Sequence, residues 1–320
     1  MRQLLRRQPH GQVRRVRGAG RMGACASADD RLIERHLDGG RTDGGFVDVR
    51  GGRARDRAKT FGSIVAGLAV VLAIWGLFAL FFNGTGASAL RFPTPVETFA
   101  RLGEYLFEGR SLYGQSIYAH VGASVQRLLV AFSLAAAFGI VLGSALGYFT
   151  RIYAIGMVPV SIFQMIPGLA WLPIAILLFG LGDESAVFII FVVSSMVITV
   201  DVAGGIRMVP AVLVRAAKMA GASGPAIFLK VLVPQASVSI INALRVGMSS
   251  AWRVLIAAEM VVGTGIGLGC SIELTRDLLD YVGAFACIAV ICVIGLAIDR
   301  VVLATLEKAI RHRLGLEEGY

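Results

Sequence analysis

Two arginines, Arg127 and Arg253, stand inside long apolar stretches of the sequence. A guanidinium presents a planar fork of N–H donors that suits the oxygens of an oxyanion. An ionisable side chain at the centre of a membrane helix costs about 2.5 to 3.5 kcal/mol on insertion scales, so it usually faces protein or water. The two arginines are therefore candidates to line a passage for a small anion. Asn242, Trp252 and Glu259 add polar and aromatic groups to the same candidate pathway.

A structural role explains the same arginines, and we favour it. Arg127 would then bond backbone carbonyls that a proline-broken segment leaves open. Arg253 would pair with Glu259 or with Glu184 of a neighbour. Both roles stay open at the level of sequence.

Catalysis and metal binding find no support in the residue pattern. The sequence contains no HExxH, GxSxG or GxxxxGK[ST] motif. Its cysteines show no CxxC or CxxxH spacing, and its histidines lie far apart. The pattern therefore indicates a chain that is not an enzyme and has no metal site. The residues concerned are His10, His36, His120, His312, Cys25, Cys270, Cys287 and Cys292.

The composition is that of a membrane protein. Of the 320 residues, 56% are hydrophobic and 16% are charged, and the mean hydropathy is +0.73. These values lie outside the range of soluble domains. Most of the net charge of +10 falls in residues 1–59, where 15 basic and 7 acidic residues give 15 − 7 = +8. This segment has too few apolar residues for a core, so we expect a disordered cytoplasmic tail and no binding to nucleic acid.

Six apolar segments are long enough to cross a membrane lipid bilayer, which requires about 20 residues. Pro159, Pro167 and Pro173 interrupt the third and predict a kinked crossing whose broken part faces the interior of the bundle. Basic residues cluster on one side, which places both termini in the cytoplasm. The sequence therefore predicts an all-α polytopic membrane protein with a transmembrane domain over 60–314 and a short tail over 315–320. The predicted crossings are 61–82, 121–149, 153–181, 185–203, 238–262 and 282–303.

A polar island at 211–234 joins the fourth and fifth crossings. Residues 212–220 favour a helix, and Gly221 can supply the left-handed residue that ends it. Ser223 can cap a second helix that has Pro225 in its first turn. The pattern predicts a helix-turn-helix unit outside the membrane on the cytoplasmic side. Such a unit is either a handle for another protein or an ordinary amphipathic loop.

The island resembles the cytoplasmic loop of the permeases of binding-protein-dependent ABC importers. The family pattern reads EAA, three residues, G, nine residues, I, one residue, L, P. Arg215 stands where the family usually has Glu, which removes any salt bridge of that Glu and leaves the helical geometry unaffected. The residues that fall on the remaining positions are Ala216, Ala217, Gly221, Val231, Val233 and Pro234.

The resemblance covers about residues 91–314 and is strongest to the nitrate, sulfonate and taurine importer group. Asp201 departs from it, because a neutral polar residue is expected there. The stretches that carry the resemblance are FPTP at 92–95, SVQRLLVAF at 124–132, QMIPGLAWLPIAILLFGLG at 164–182, GIR at 205–207, and AAEMV followed by GLG within 257–269.

The resemblance implies a permease subunit in the bacterial cytoplasmic (inner) membrane that imports a small anion of the sulfonate, taurine or nitrate type. It would pair with a second copy of itself, receive solute from an extracytoplasmic binding protein and rest on two ATPase subunits. The ATPase would bind ATP and Mg²⁺, so this chain would need no cofactor. Residues 223–230 would be the coupling helix, with Gly221 setting its angle and Pro234 ending the unit before the fifth crossing.

The alternative is an ion- or proton-coupled secondary transporter. Such a protein is expected to contain an internal repeat with paired discontinuous helices. The sequence has one proline-broken segment without a counterpart in its other half.

Overall fold

Helices make up the regular structure of the described part of the chain, apart from one β-bridge between Leu112 and Gln115. The computed structural model describes residues 49–86 and 91–303. The fold class predicted from the sequence is confirmed. The helices are α1 (Val49–Gly84), α2 (Pro95–Phe107), α3 (Ile117–Tyr148), α4 (Thr150–Met165), α5 (Leu172–Phe179), α6 (Asp183–Arg207), α7 (Ala211–Met219), α8 (Gly224–Ile227), α9 (Val233–Val262), α10 (Leu268–Asp277) and α11 (Tyr281–Ala297).

The chain divides into two compact units, Met1–Leu68 and Ala69–Tyr320. The first unit contributes the beginning of α1, which starts at Val49. The expectation of disorder over 1–59 is therefore corrected for 49–59, where Arg, Ala and Lys supply good helix formers. The rest of that expectation, and the tail at 315–320, lie outside the described residues.

Five helices in the described residues are long and apolar enough to cross a membrane, and a bent pair raises the number to six. The pair is α4 with the segment Gly168–Phe179, bent by 99°. Of the three prolines, Pro167 lies at the break, while Pro159 lies inside α4 and Pro173 begins α5. The predicted kink is thus a sharp turn at one proline, where the pyrrolidine ring cannot continue the helix.

The extracytoplasmic side of the predicted topology begins with α2. Thr94 accepts a hydrogen bond from the Glu97 amide, and the Glu97 side chain accepts one from the Thr94 amide. This capping box satisfies two amides that the helix leaves free and fixes the start of α2. The bond from the Thr94 amide lowers the pKa of the Glu97 carboxyl.

Close contact between α3 and α6 forms the centre of the bundle. A Cβ on Gly143 would lie 2.7 Å from the Thr199 carbonyl oxygen, and one on Gly139 would lie 2.8 Å from Ile198. Glycines four residues apart therefore let the two backbones approach, as small residues do in membrane helix pairs. The contact fixes α3 against α6 along their length.

The helix that follows the polar island differs from the prediction. Residues Phe228–Leu232 form a π-helical turn, and the helix continues through it from Gly224 to Val262 without a stop. The expectation that Pro234 ends the unit is wrong, because Pro234 lies in the first turn of α9. Pro234 has no N–H to donate within the continuing helix, and the wide π-helical turn before it accommodates its ring.

Helix α10 lies between the predicted fifth and sixth crossings, in a stretch for which the sequence analysis predicts no helix. Asp183 and Glu184 form the first turn of α6, where their charge suits the helix dipole. The turn itself lies at Gly180 and Gly182, both with positive φ.

Candidate functional site

The first candidate site is the segment 211–234, called the coupling loop below. Helix α7 ends at Met219, and Gly221, two residues later, has a left-handed φ of +80°. The Gly221 amide bonds to the Lys218 carbonyl at 3.0 Å, and the Ala222 amide bonds to the Ala217 carbonyl at 3.0 Å. These two bonds form the paired C-terminal cap that a left-handed glycine permits. The predicted turn between two short helices is therefore present.

The coupling loop has an anchored face and an exposed face. Ile227 and Leu232 are buried in a cluster that includes Ile206 from the end of α6. On the other face, Met219 is 84% exposed and Leu229 is 64% exposed. Helix α7 has no buried residue.

The residues that match the family pattern divide between these faces. Arg215 and Ala216 are exposed, while Ala217, Val231, Val233 and Pro234 are half-buried. Ser223 occupies the predicted cap position, but its side chain accepts no hydrogen bond there.

The second site is a buried cluster of charges at the opposite ends of the same helices. The Arg127 guanidinium on α3 lies 2.7 Å from Glu259 of α9 and 2.8 Å from Asp183 of α6. It also donates to the Ile266 carbonyl at 2.6 Å. Side-chain exposure is 7% for Arg127 and 0% for Glu259. We call Arg127, Glu259 and Asp183 the charge cluster.

Small and polar neighbours complete the charge cluster. The Ser124 hydroxyl donates to Glu259 at 2.8 Å, and the Gly269 amide donates to the same carboxylate at 2.9 Å. A Cβ on Gly267 would lie 2.7 Å from the Glu259 carboxyl carbon. The GLG stretch at 267–269 therefore has a physical reason, because only glycine lets this backbone approach the carboxylate. A buried charge of this kind needs such partners to offset its loss of water.

His120 extends the same network toward the N-terminal end of α3. Its Nδ1 accepts a hydrogen bond from the Gly267 amide at 3.1 Å, and its Nε2 lies 3.2 Å from the Leu112 carbonyl. The histidine is thus held between two backbone segments. The described residues contain no group of three or more His, Cys, Asp or Glu side chains that could hold a metal ion.

The charge cluster corrects two structural expectations. Arg127 bonds a carbonyl of the segment before α10 and two carboxylates, rather than carbonyls of the broken third crossing. Glu259 pairs with Arg127, so its expected pairing with Arg253 is wrong. The hydrogen bonds of Arg127 and Glu259 are satisfied inside the bundle, which agrees with a structural role. Their place along a passage stays a prediction.

The other pathway candidates lie on different faces of α9. Trp252 is buried, and its Nε1 lies 2.8 Å from the position of a Cβ on Gly295 of α11. Asn242 and Arg253 are exposed on another face, eleven positions apart and so on one side of the helix, with Ser249 between them. We call these three residues the polar stripe. Arg253 forms no ion pair within the described residues.

The sequence of this chain is similar to those of known membrane transport components. The family model for the binding-protein-dependent transport system inner membrane component matches residues 135–312. A Methanocaldococcus jannaschii protein described as an ABC transporter permease is 34% identical over 232 residues, which cover 72% of this chain and 85% of that protein. The taurine transport system permease protein of Escherichia coli is 28% identical over 72% of this chain and 82% of its own length.

One further relative is similar to this chain in sequence, and one solved structure is similar to it in fold. The nitrate import permease protein of Synechocystis is 31% identical over 63% of this chain and 72% of its own length. In a solved inward-facing structure of a methionine ABC transporter, one chain shares the fold with a TM-score of 0.53 at 19% identity, covering 60% of this chain and 94% of that chain. Because the family model matches more than half of its residues, the chain belongs to the binding-protein-dependent transport system inner membrane components, the membrane-spanning permeases of ABC transporters.

Proposed function

We propose that this chain, as a pair of copies, forms the passage of an ATP-driven importer for a small oxyanion. Two ATPase subunits would contact the coupling loop from the cytoplasm, and an extracytoplasmic binding protein would deliver the solute. Both termini would lie in the cytoplasm, in agreement with the basic residues at the coupling-loop side.

The observation that carries this proposal is the exposed face of the coupling loop. Met219 and Leu229 are large apolar side chains exposed by 84% and 64%, on a projection whose inner face is firmly anchored. Exposed apolar side chains on a rigid projection are typical of a surface that another protein covers. The anchored face ties the projection to α6 and α9, so a movement of the loop would be passed to the membrane helices.

The polar stripe supports the choice of an oxyanion. Arg253 is a charged, exposed residue within a candidate membrane span, and such a residue needs water or protein around it. Taurine and nitrate, the solutes named for two relatives, both carry an oxyanion group. A guanidinium in the passage would attract that group without fixing which solute is carried.

Crosslinked co-purification tests the assignment of the coupling loop. The tagged chain is expressed with its neighbouring genes after Cys292, the exposed cysteine of the described residues, is replaced by Ser. A cysteine is then placed by Leu229→Cys on the coupling loop, or by Phe107→Cys on α2 as the matched exposed control. We expect an ATPase to crosslink at position 229 and not at position 107.

Two results would contradict the proposal. One is an ATPase that crosslinks equally at both positions, because the contact would then have no preferred surface. The other is a purified chain that moves solute into liposomes without ATP, which would indicate the secondary transporter considered from the sequence.

A further inference from the structure

A cavity of about 720 Å³ lies between the coupling loop and the ends of α3 and α6. Three cationic side chains line it: Arg207 from the end of α6, and Arg215 and Lys218 from α7. Tyr148 and Thr150, at the junction of α3 and α4, also line it. We call it the cationic cavity. Its volume falls within the range of about 300 to 1,000 Å³ that is usual for small-ligand sites.

The charges of this cavity are not balanced by the protein around them. None of the three cations forms an ion pair within the described residues. Asp201 is the only acidic residue between Glu184 and Glu259 in the sequence, and it does not line the cavity. Arg215 and Lys218 are three positions apart on one helix, where like charges repel each other by a few tenths of a kcal/mol.

The position of Arg207 favours binding of an oxyanion. Its guanidinium lies over the Tyr153 ring, with 4.0 Å between the guanidinium carbon and the ring centroid. Stacking holds the plane of the guanidinium and leaves the N–H groups at its edge free to donate. The stacked guanidinium of Arg207 therefore lines the same cavity as the side chains of Arg215 and Lys218 on the coupling loop.

The general preference for basic residues on the cytoplasmic side explains the sign of these charges but not their convergence. Arg151 and Lys230 are also exposed near the same end of the bundle, yet neither lines the cavity. Arg215 and Lys218 add two positive charges to that of Arg207, so the charged residues that line the cavity all have the same sign.

We propose that the cationic cavity binds a tetrahedral oxyanion of the phosphate or sulfonate class. The source is either a free cytoplasmic anion or the phosphate of a lipid headgroup. Bound there, the anion would connect α7 to the end of α6 and brace the coupling loop. That consequence rests on the proposed function, whereas the binding itself does not.

The test measures binding to the full-length chain in phosphatidylcholine nanodiscs, without an ATPase. Inorganic phosphate is titrated, and the thermal unfolding midpoint reports binding to the folded chain. We expect a saturable rise in the midpoint for the unmodified chain and for K230Q, the matched control outside the cavity. In R215Q/K218Q the phosphate affinity should fall by about tenfold for each charge removed.

A second arm separates the two sources. Phosphatidylglycerol is added, and bound lipid is counted by native mass spectrometry of the same variants. Phosphate binding that depends on the cavity cations supports a free anion, and cavity-dependent retention of the lipid supports a headgroup. R215K/K218R keeps the charge and should keep the binding, and R207Q should weaken it, which guards against a loop that has merely misfolded.

Two outcomes overturn the proposal. The first is that R215Q/K218Q binds phosphate and lipid as tightly as the unmodified chain does. Binding would then not depend on the cations of the cavity. The second is a carbodiimide crosslink from Lys218 to an ATPase carboxylate in the assembled transporter together with no anion binding by the free chain. That result would assign the cavity to a protein contact. Neither outcome alters the crosslink expected at position 229, so the two proposals fail separately.

Discussion

Arg127 and Arg253 carry the same charge within membrane-spanning helices, but their surroundings are opposite. Arg127 is 7% exposed and has two carboxylate partners, whereas Arg253 is exposed and has no ion pair in the described structure. The sequence places both in apolar stretches and cannot separate them. The difference arises from residues that are distant in the sequence. Glu259, which pairs with Arg127, lies 132 positions after it.

The first prediction concerns the charge cluster. Glu259→Gln should lower the free energy of unfolding by about 3 to 5 kcal/mol, because it leaves the buried Arg127 without its main counter-charge. The measurement is reversible unfolding in mixed micelles. Glu273→Gln is the matched control, since it removes a carboxylate from a surface pair with Arg276 and should cost at most about 1 kcal/mol. Equal losses for both variants would contradict a stabilising role for the buried pair.

The second prediction concerns the polar stripe. Arg253→Gln should change the free energy of unfolding by no more than about 0.5 kcal/mol, because the side chain has no ion-pair partner within the described residues to lose. Solute uptake by the assembled transporter in proteoliposomes should fall by about tenfold, the effect of one charged hydrogen bond. Arg253→Lys keeps the charge and should recover part of the uptake. Unchanged uptake with a large loss of stability would indicate instead that Arg253 supports contact between subunits.

At the scale of elements, the sequence predicts helix starts and ends well where residues close in the sequence determine them. The capping box at Thr94 and the left-handed Gly221 are both specified by neighbours within a few residues, and both are present. The coupling loop follows from such local signals. The π-helical turn at Phe228–Leu232 does not, because a proline at the start of α9 is compatible with either a stop or a continuation.

The third prediction follows from the geometry of Gly221. Gly221→Ala should cost about 1 to 2 kcal/mol for the left-handed backbone alone, since no atom lies within 4 Å of the added Cβ. The loop would populate its turn less, so ATP hydrolysis stimulated by solute should fall several-fold in the assembled transporter.

Gly204→Ala serves as the control for that experiment. Gly204 lies inside α6, and its added Cβ would also meet no atom within 4 Å. The same substitution there should stabilise the helix by up to about 1 kcal/mol and leave the stimulation intact. If Gly204→Ala reduced the stimulation as much as Gly221→Ala, the effect could not be assigned to the turn.

At the scale of the whole molecule, hydropathy predicts the number of crossings but not their contacts. The six predicted segments agree with five spans and one bent pair. The cluster of Arg127, Asp183 and Glu259 joins three helices, and its members come from distant parts of the sequence. One signal was available: all three lie near helix ends that the predicted topology puts on the same side of the membrane.

The fourth prediction concerns residues 2–48, the basic segment that precedes the described structure. Their deletion should leave uptake and assembly with the ATPase nearly unchanged, because the coupling loop, the charge cluster and the polar stripe all lie beyond residue 120. Uptake by proteoliposomes that contain equal amounts of inserted protein is the measurement. Normal insertion with lost uptake would show that this segment takes part in transport.

The length of the unbroken helix from Gly224 to Val262 determines how far a small tilt of the helix moves each of its ends. At 1.5 Å per residue, its 39 residues span about 58 Å and join the coupling loop at one end to Glu259 at the other. A rigid rod of this length that pivots at its middle by about 5° moves each end by about 2.5 Å, in opposite directions. Such a displacement is nearly as long as the hydrogen bonds around Glu259, so a small tilt at the coupling-loop end is enough to break contacts at the other end of the helix.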